Sequence, residues 1–359
     1  MAASTATYQA PTRKPDRRFA IRGAGNVADV ALAFRRSGRL LPPLLLTGCE
    51  GIQSSLSPRG ADAESYFILG NVMFAAAGII FALVLAITAM AALRPDRLPF
   101  WLKGHALILG AGLAFPVVAL SALLIYGLLL TRQGNAGDDA TMRTIEVTAH
   151  QFWWRVRYLT PQGEVDFETA NELHLPVGQE VRLMLKSADV IHSFWIPSLA
   201  GKIDMIPGRT TVLYLSASQE GLYRGQCAEF CGLQHANMAL YARAVTEGEF
   251  SDWLIQQREA ASLAGGPAQT NGLSVFRSSG CGACHTIRGT DATGTAGPDL
   301  THIGSRHSIG AGILPRNIGT IAGWIAGNQH IKPGNPMPAY DTIGAADLRA
   351  LAGYLEGLR

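Results

Sequence analysis

CAEFCGLQHANM, residues 227–238, sets two thiols (Cys227, Cys231), an imidazole (His235) and a thioether (Met238) within twelve positions. Soft sulfur combined with imidazole favours copper, and a single-copper redox centre uses one cysteine, two histidines and a weak axial methionine. Here a second cysteine follows the first across Ala228, Glu229 and Phe230. Two thiolates can bridge two copper ions, which spreads the charge over both metals and reduces the rearrangement on each change of oxidation state. The further imidazole has to come from outside the run. His192 in VIHSFWIP, at a turn after a predicted strand, is the best placed. Two readings compete: a Cys227–Cys231 disulfide, which an oxidising compartment permits, and a zinc site, for which methionine is a poor ligand.

The residues around this run alternate. RTIEVTA, EVRLMLK, TVLYLSA and ALYARAV place apolar side chains at every second position or nearly so, with Val181, Leu183 and Leu185 on one face. That period, broken by Gly/Pro turns such as PVGQ and IPGR, predicts short strands, and several at this spacing predict a β-sandwich or barrel over residues 141–258. SDWLIQQREA closes it as a helix. EAASLAGGPAQT opens a small, polar linker over 259–272. A flexible stretch of about 12 residues has an end-to-end distance of roughly 20 Å, which predicts some freedom of movement beyond it.

Downstream, CGACH at 281–285 is a c-type haem attachment motif. Cys281 and Cys284 would form the thioethers and His285 would bind iron. The usual opposite ligand is methionine, and Met337 in KPGNPMPAY is the one methionine between 273 and 359. His302, His307 and His330 are the competing imidazoles. The unit 273–359 reads as helical and ends on AADLRALAGYLEGL, whose Leu348, Leu351, Ala352 and Leu355 share a face.

Upstream, residues 66–93 and 105–130 carry no charge apart from a titratable His105. Each exceeds the roughly 20 residues that cross a bilayer, and a buried core helix rarely stays apolar all round for so long. Residues 49–140 are therefore read as a transmembrane hairpin. Its connecting loop holds Arg94, Arg97 and Lys103. Short basic loops stay in the cytoplasm, which puts everything after residue 130 outside it. Residues 1–48 read as a leader: Arg35, Arg36 and Arg39 precede a short apolar run that ends in LTGC, a lipoprotein-like box with Cys49 as the lipidated residue. The competing reading is an ordinary signal, or a misplaced start, with an incidental cysteine.

Composition agrees with this division. Hydrophobic residues make up 48% and charged residues 16%, and the shortage of charge lies in the two apolar runs. A net charge of +3 is too small to argue for a nucleic-acid partner, and none is expected. Residues 141–258 carry a net −3 and 273–359 a net +2, opposite signs that favour encounter between the two units.

VIHSFWIPSLAGKIDMIPGR followed by CAEFCGLQHANM resembles subunit II of haem–copper cytochrome c oxidases, and a CxxCH unit fused behind it resembles the caa-type members. The resemblance implies two transmembrane helices, a cupredoxin-like β-barrel and an all-α class I cytochrome c domain. It implies a binuclear copper centre held by His192, Cys227, Cys231, His235 and Met238, with the Glu229 carbonyl as a further ligand. The Glu229 side chain would contact a magnesium ion against subunit I. It implies a covalent haem c on Cys281 and Cys284, with His285 and Met337 on iron and the Pro298 carbonyl of GPDL holding the His285 N–H. Implied partners are oxidase subunits I and III, the membrane, and cytochrome c or an upstream complex as donor. Electrons would pass from haem c through the copper pair to haem a in subunit I, coupled to reduction of dioxygen to water and proton translocation across a bacterial cell membrane. Two departures stand out. The tryptophan that usually follows the Gln of the aromatic run, where electrons arrive, is Phe152 here, followed by Trp153 and Trp154. The glutamate that many relatives carry seven residues before the proline of helix two is Leu109, and Glu64 lies on the wrong side to replace it. The reading of a different class is a copper-binding membrane lipoprotein for storage or delivery, which would not need a covalent haem. Nitrous oxide reductase is soluble and carries a large propeller, and a quinol-oxidase subunit would lack the thiolates.

Overall fold

In the computed structural model of the chain, residues 50–94, 104–133, 142–262 and 267–359 are described. Cys49, Arg97, Lys103 and the 1–48 leader reading lie outside the described residues. Helix α1 spans Ala61–Leu93. Helix α2 is built from a turn His105–Leu107, a π-helical stretch Ile108–Ala114 and an α-helical stretch Phe115–Gln133. Leu109 falls in the π-helical stretch and is exposed. Both helices are long and apolar enough to cross a membrane, and among the described residues none buries their apolar windows.

Helix α1 starts five residues before the uncharged run because Ala61–Ser65, which includes Asp62 and Glu64, continues the same helix. At 1.5 Å per residue its 33 residues span about 50 Å, against about 30 Å of hydrocarbon. The excess at the N-terminal end packs on the β-rich unit. Arg59 N–H donates to the Ser198 carbonyl (2.7 Å), Ser218 N–H to the Arg59 carbonyl (2.7 Å), and Ala63 is buried.

Residues 144–245 form a sandwich of two five-stranded sheets. One sheet is ordered β3-β2-β1-β5-β8, from β1 (Thr144–His150), β2 (Trp153–Leu159), β3 (Val165–Ala170), β5 (Glu180–Ser187) and β8 (Thr211–Ser216). The other is ordered β4-β10-β9-β6-β7, from β4 (Glu172–Pro176), β6 (His192–Trp195), β7 (Ile203–Met205), β9 (Gly221–Cys227) and β10 (Ala239–Val245). Strict alternation puts Val147, Val156, Leu183 and Leu185 between the sheets, facing Phe194, Leu240 and Ala242. Helix α3 (Glu247–Arg258) closes the unit with a capping box, Thr246 accepting from Glu249 N–H.

Three helices, α4 (Pro267–Ser278), α5 (Ile318–Ile331) and α6 (Ala345–Gly357), wrap a second core around Phe276, Ile321, Leu351 and Leu355. Gly272 lets α4 cross α6, since a Cβ there would stand 2.4 Å from Tyr354 Cβ. A two-residue ladder joins β11 (Ser308–Ile309) to β12 (Leu314–Pro315). The stretch read as linker differs from expectation. Its end is helical from Pro267, and its start is pinned: Ala261 N–H donates to the Arg288 carbonyl (3.0 Å) and the His302 ring bonds the Glu259 carbonyl (3.2 Å).

Candidate functional site

The CAEFCGLQHANM run is the connection from β9 to β10. Cys227 ends one strand, Ala239 begins the other, and Cys227 N–H donating to the Met238 carbonyl (2.8 Å) closes the loop at its base. Strand β6 pairs with β9 so that Phe194 faces Cys227. His192, two residues earlier, thereby reaches the same place as the first residue of a strand rather than at a turn.

The donor atoms converge. Cys227 Sγ lies 3.7 Å from His192 Nδ1 and 3.7 Å from Cys231 Sγ. Cys231 Sγ lies 3.7 Å from His235 Nδ1 and 3.9 Å from Met238 Sδ. The Glu229 carbonyl oxygen is 3.2 Å from Cys227 Sγ. A disulfide requires about 2.05 Å between sulfurs, so the two thiols stand unbonded. His192, Cys227, Cys231 and Met238 are buried. Each thiol sets the other's proton affinity. The hydrogen bond from Cys231 holds Cys227 well below the ordinary thiol range, and that same bond, with burial and the neighbouring charge, pushes Cys231 up. Burial alone would lower His192, but its bonds to Cys227 and Asp189 outweigh that and raise it. Two thiols, two imidazoles, a thioether and a carbonyl in a dry pocket are a soft set that fits copper.

Asp189 was not singled out by the sequence. Its Oδ1 lies 2.7 Å from His192 Nε2 and its Oδ2 accepts from Gln151 N–H (2.7 Å). A carboxylate on the far nitrogen fixes the ring and leaves Nδ1 toward the sulfurs. The Gln151 side chain donates to the Cys231 carbonyl. Trp154 is buried edge-on to His192, with centroids 6.3 Å apart.

The second constellation lines a cavity of about 230 Å³. Cys281, Cys284, His285 and Met337 are all in its wall. His285 Nδ1 bonds the Pro298 carbonyl oxygen at 2.8 Å, and among the described residues Nε2 has no partner; burial lowers the ring's proton affinity. Met337 is held by its N–H donating to Asn335 Oδ1 (2.9 Å) and its carbonyl accepting from Gln329 (2.7 Å). Of the competing imidazoles, His302 bonds the Glu259 carbonyl, His307 stacks edge-on against Tyr241, and neither they nor His330 line the cavity. Arg306 Nε and Ser308 Oγ are buried without a partner and both residues line it. An apolar cavity with a free imidazole nitrogen and two orphaned donors fits a porphyrin with acidic side chains.

Part of that wall belongs to the sandwich. Phe152, Trp153 and Asn171 line the same cavity. Trp153 is 9% exposed, stacked on His150 at 4.7 Å, with the Arg155 guanidinium 5.0 Å from its ring centre and Ala311 packed against it. Ala239 N–H donates to the Ala311 carbonyl across the seam (3.0 Å). Glu172 accepts from the His307 and Ser308 N–H groups and faces the buried Arg306. Lys332 reaches back into the sandwich, and burial pushes its amine down to about 7 against the opposing pull of Cys231.

Burial also lifts the Glu172 carboxyl to about 7 from 4.5, with Arg306 opposing. An acid raised in the folded state contributes its stability below 4.5, and that contribution is lost as pH climbs through about 7. Glu172→Gln should therefore flatten the fall in thermal midpoint of the full chain between pH 5 and 8. The wild type should lose about 3 kcal/mol relative to the variant over that range. Parallel pH profiles for the two proteins would contradict the assignment.

A family profile described as cytochrome C oxidase subunit II, periplasmic domain, matches residues 158–245, and a cytochrome c profile matches 269–359. The chain is 32% identical over 345 residues to a cytochrome c oxidase subunit 2 of Alkalihalophilus pseudofirmus, covering 91% of this chain and 98% of that relative. It is 28% identical to the Bacillus subtilis protein of the same description, over 89% and 96%. The crystal structure of the periplasmic domain of a Bradyrhizobium japonicum oxidase subunit II is 34% identical and covers 32% of this chain and 93% of that one, with a TM-score of 0.30.

Proposed function

Because the chain belongs to the cytochrome c oxidase subunit 2 family, we propose that it is the electron-input subunit of a caa-type terminal oxidase. The observation that carries this is the shared wall: the sulfur-imidazole cluster and the CxxCH cavity sit on opposite sides of the Phe152–Trp154 segment. The proposed order runs from cytochrome c or an upstream complex to the helical unit, then to the sandwich, then to haem a of subunit I. The assembled complex reduces dioxygen to water and translocates protons. When bound, the copper pair and the haem iron each supply a one-electron carrier.

The chain's own residues do the positioning. His192, Cys227, Cys231, His235, Met238 and the Glu229 carbonyl would hold the copper pair, and Asp189 orients His192. Cys281 and Cys284 would anchor the haem, His285 and Met337 would bind its iron, and Pro298 would fix the His285 ring. Phe152 and Trp153 keep water out of the seam. Phe230 and Leu233 stand 76% and 81% exposed beside the ligands. An apolar pair that prominent suits a partner surface, and subunit I is the proposed occupant, with subunit III further off and the Glu229 side chain meeting magnesium. The basic loop between the spans supports an extracytoplasmic position for both units.

Purified with its complex, the chain should carry two coppers per c-type haem, show a delocalised two-copper resonance, and support oxygen uptake with reduced cytochrome c. A copper protein that purifies alone, from cells whose oxidase survives its deletion, would instead support the storage or delivery reading.

A further inference from the structure

Lysine is seldom fully buried without a charge partner. Lys332 is 2% exposed, and its described contacts include no carboxylate. Its Nζ donates to three backbone carbonyls: Phe152 (2.7 Å) and Asn237 (2.7 Å) of the sandwich, and Gly310 (3.1 Å) of the helical unit. Two of these places matter chemically. Asn237 precedes Met238 in the sulfur-imidazole loop, and Phe152 lines the CxxCH cavity. The lysine backbone is tied to the other loop. Its carbonyl accepts from Asn335 Nδ2 (2.8 Å), and Asn335 Oδ1 accepts from Met337 N–H (2.9 Å). A continuous thread thus runs from Met337 through Asn335 and Lys332 to Asn237 and Met238.

We propose that Lys332 is a positioning residue that fixes the register in which the helical unit sits on the sandwich, by tying its methionine loop to the sulfur-imidazole loop. A buried cation is a weak source of net stability, because its desolvation offsets its bonds, and its best-attested use is to specify one arrangement over its neighbours. One ammonium reaching two carbonyls of the other unit is such a device: a shift of the seam by one residue strands the Phe152 and Asn237 carbonyls, while the Gly310 carbonyl moves with the lysine. Lys332 shares this task with the Glu172 carboxylate, which accepts from the His307 and Ser308 N–H groups, and with the Ala239–Ala311 backbone bond. Tyr241 against His307 and Trp153 against Ala311 are ring and methyl contacts that tolerate sliding.

The role as a register device stands on the seam itself; its effect on electron transfer rests on the function proposed above. The test uses Lys332→Met in the full chain within its complex. Hydrogen exchange at Ala239, His307 and Ser308, whose N–H groups bond across the seam, should accelerate about tenfold. Amides of β5 and α6 should keep their protection. Electron transfer between the haem and the copper pair after rapid reduction should slow about tenfold and lose its single phase, while both spectra stay as in the wild type. Unchanged exchange at the seam would overturn the proposal. So would acceleration spread equally through β5 and α6, which marks a general loss of stability. If Lys332→Met does not accumulate, Lys332→Gln, which keeps a neutral donor on a shorter stem, carries the same measurement. Absence of copper from the wild type would sink the functional reading and leave the exchange result standing.

Discussion

Cys231→Ser should abolish oxygen uptake driven by reduced cytochrome c while leaving the c-type haem attached and reducible. Cys231 is the hub of its cluster: Cys227, His235 and Met238 all have donor atoms within 3.9 Å of its sulfur. Serine offers a hard, neutral oxygen on a shorter bond, a poor match for copper. Cys227 then loses the neighbour that holds its proton affinity down. Loss of an outer hydrogen-bond partner typically costs 10–100-fold in metal affinity or activity, so loss of a proposed copper ligand should exceed about 100-fold. The haem unit should be spared, because its core is built from separate residues, Phe276, Ile321, Leu351 and Leu355 among them. Respiration by this route at wild-type rate in the variant would overturn the copper assignment.

Gly297→Ala should have the largest effect on the other side of the seam. A Cβ at 297 would stand 2.6 Å from His285 Cε1 and 2.8 Å from its Nδ1. The ring cannot retreat without losing its bond to Pro298, and Gly297 itself is fixed by its N–H donating to the Cys284 carbonyl (2.7 Å). Overpacking of this kind costs about 1–3 kcal/mol, with about 1 kcal/mol more if the Pro298 bond breaks. The expected readout is a shift of the c-type spectrum from low spin toward high spin and a thermal midpoint several degrees lower. A low-spin spectrum at an unchanged midpoint would show that the close approach of Gly297 does not hold the His285 ring.

The parts of the site that lie close together in sequence were legible without coordinates. Cys227 to Met238 is one loop, and Cys281 to His285 is one turn, so spacing alone brings their atoms near each other. His192 was reachable only as the histidine after a predicted strand that the cluster needed; its place at the start of a strand paired with β9 is a long-range contact. What stayed hidden depends on distant contacts. Asp189 carries no signal beyond standing three residues before a histidine. Glu172, Arg306 and Lys332 read as ordinary charged residues, and only the meeting of units more than a hundred residues apart buries them. The stretch 259–270 has a linker's composition, and its docking through Ala261 and Arg288 leaves no trace in local pattern. Helix α1 ran past its apolar limit because Asp62 and Glu64 interrupt hydropathy without interrupting a helix.

On the proposed function, the wall formed by Phe152 and Trp153 makes the transfer it separates a first-order event. A soluble carrier reaches its target at a rate set by its concentration and by salt, since surface charge steers the collision. A short tether alone supplies an effective millimolar partner, and here the partner is already lodged against the wall. The internal handover should therefore ignore dilution and ionic strength, and only the external delivery step should respond to either.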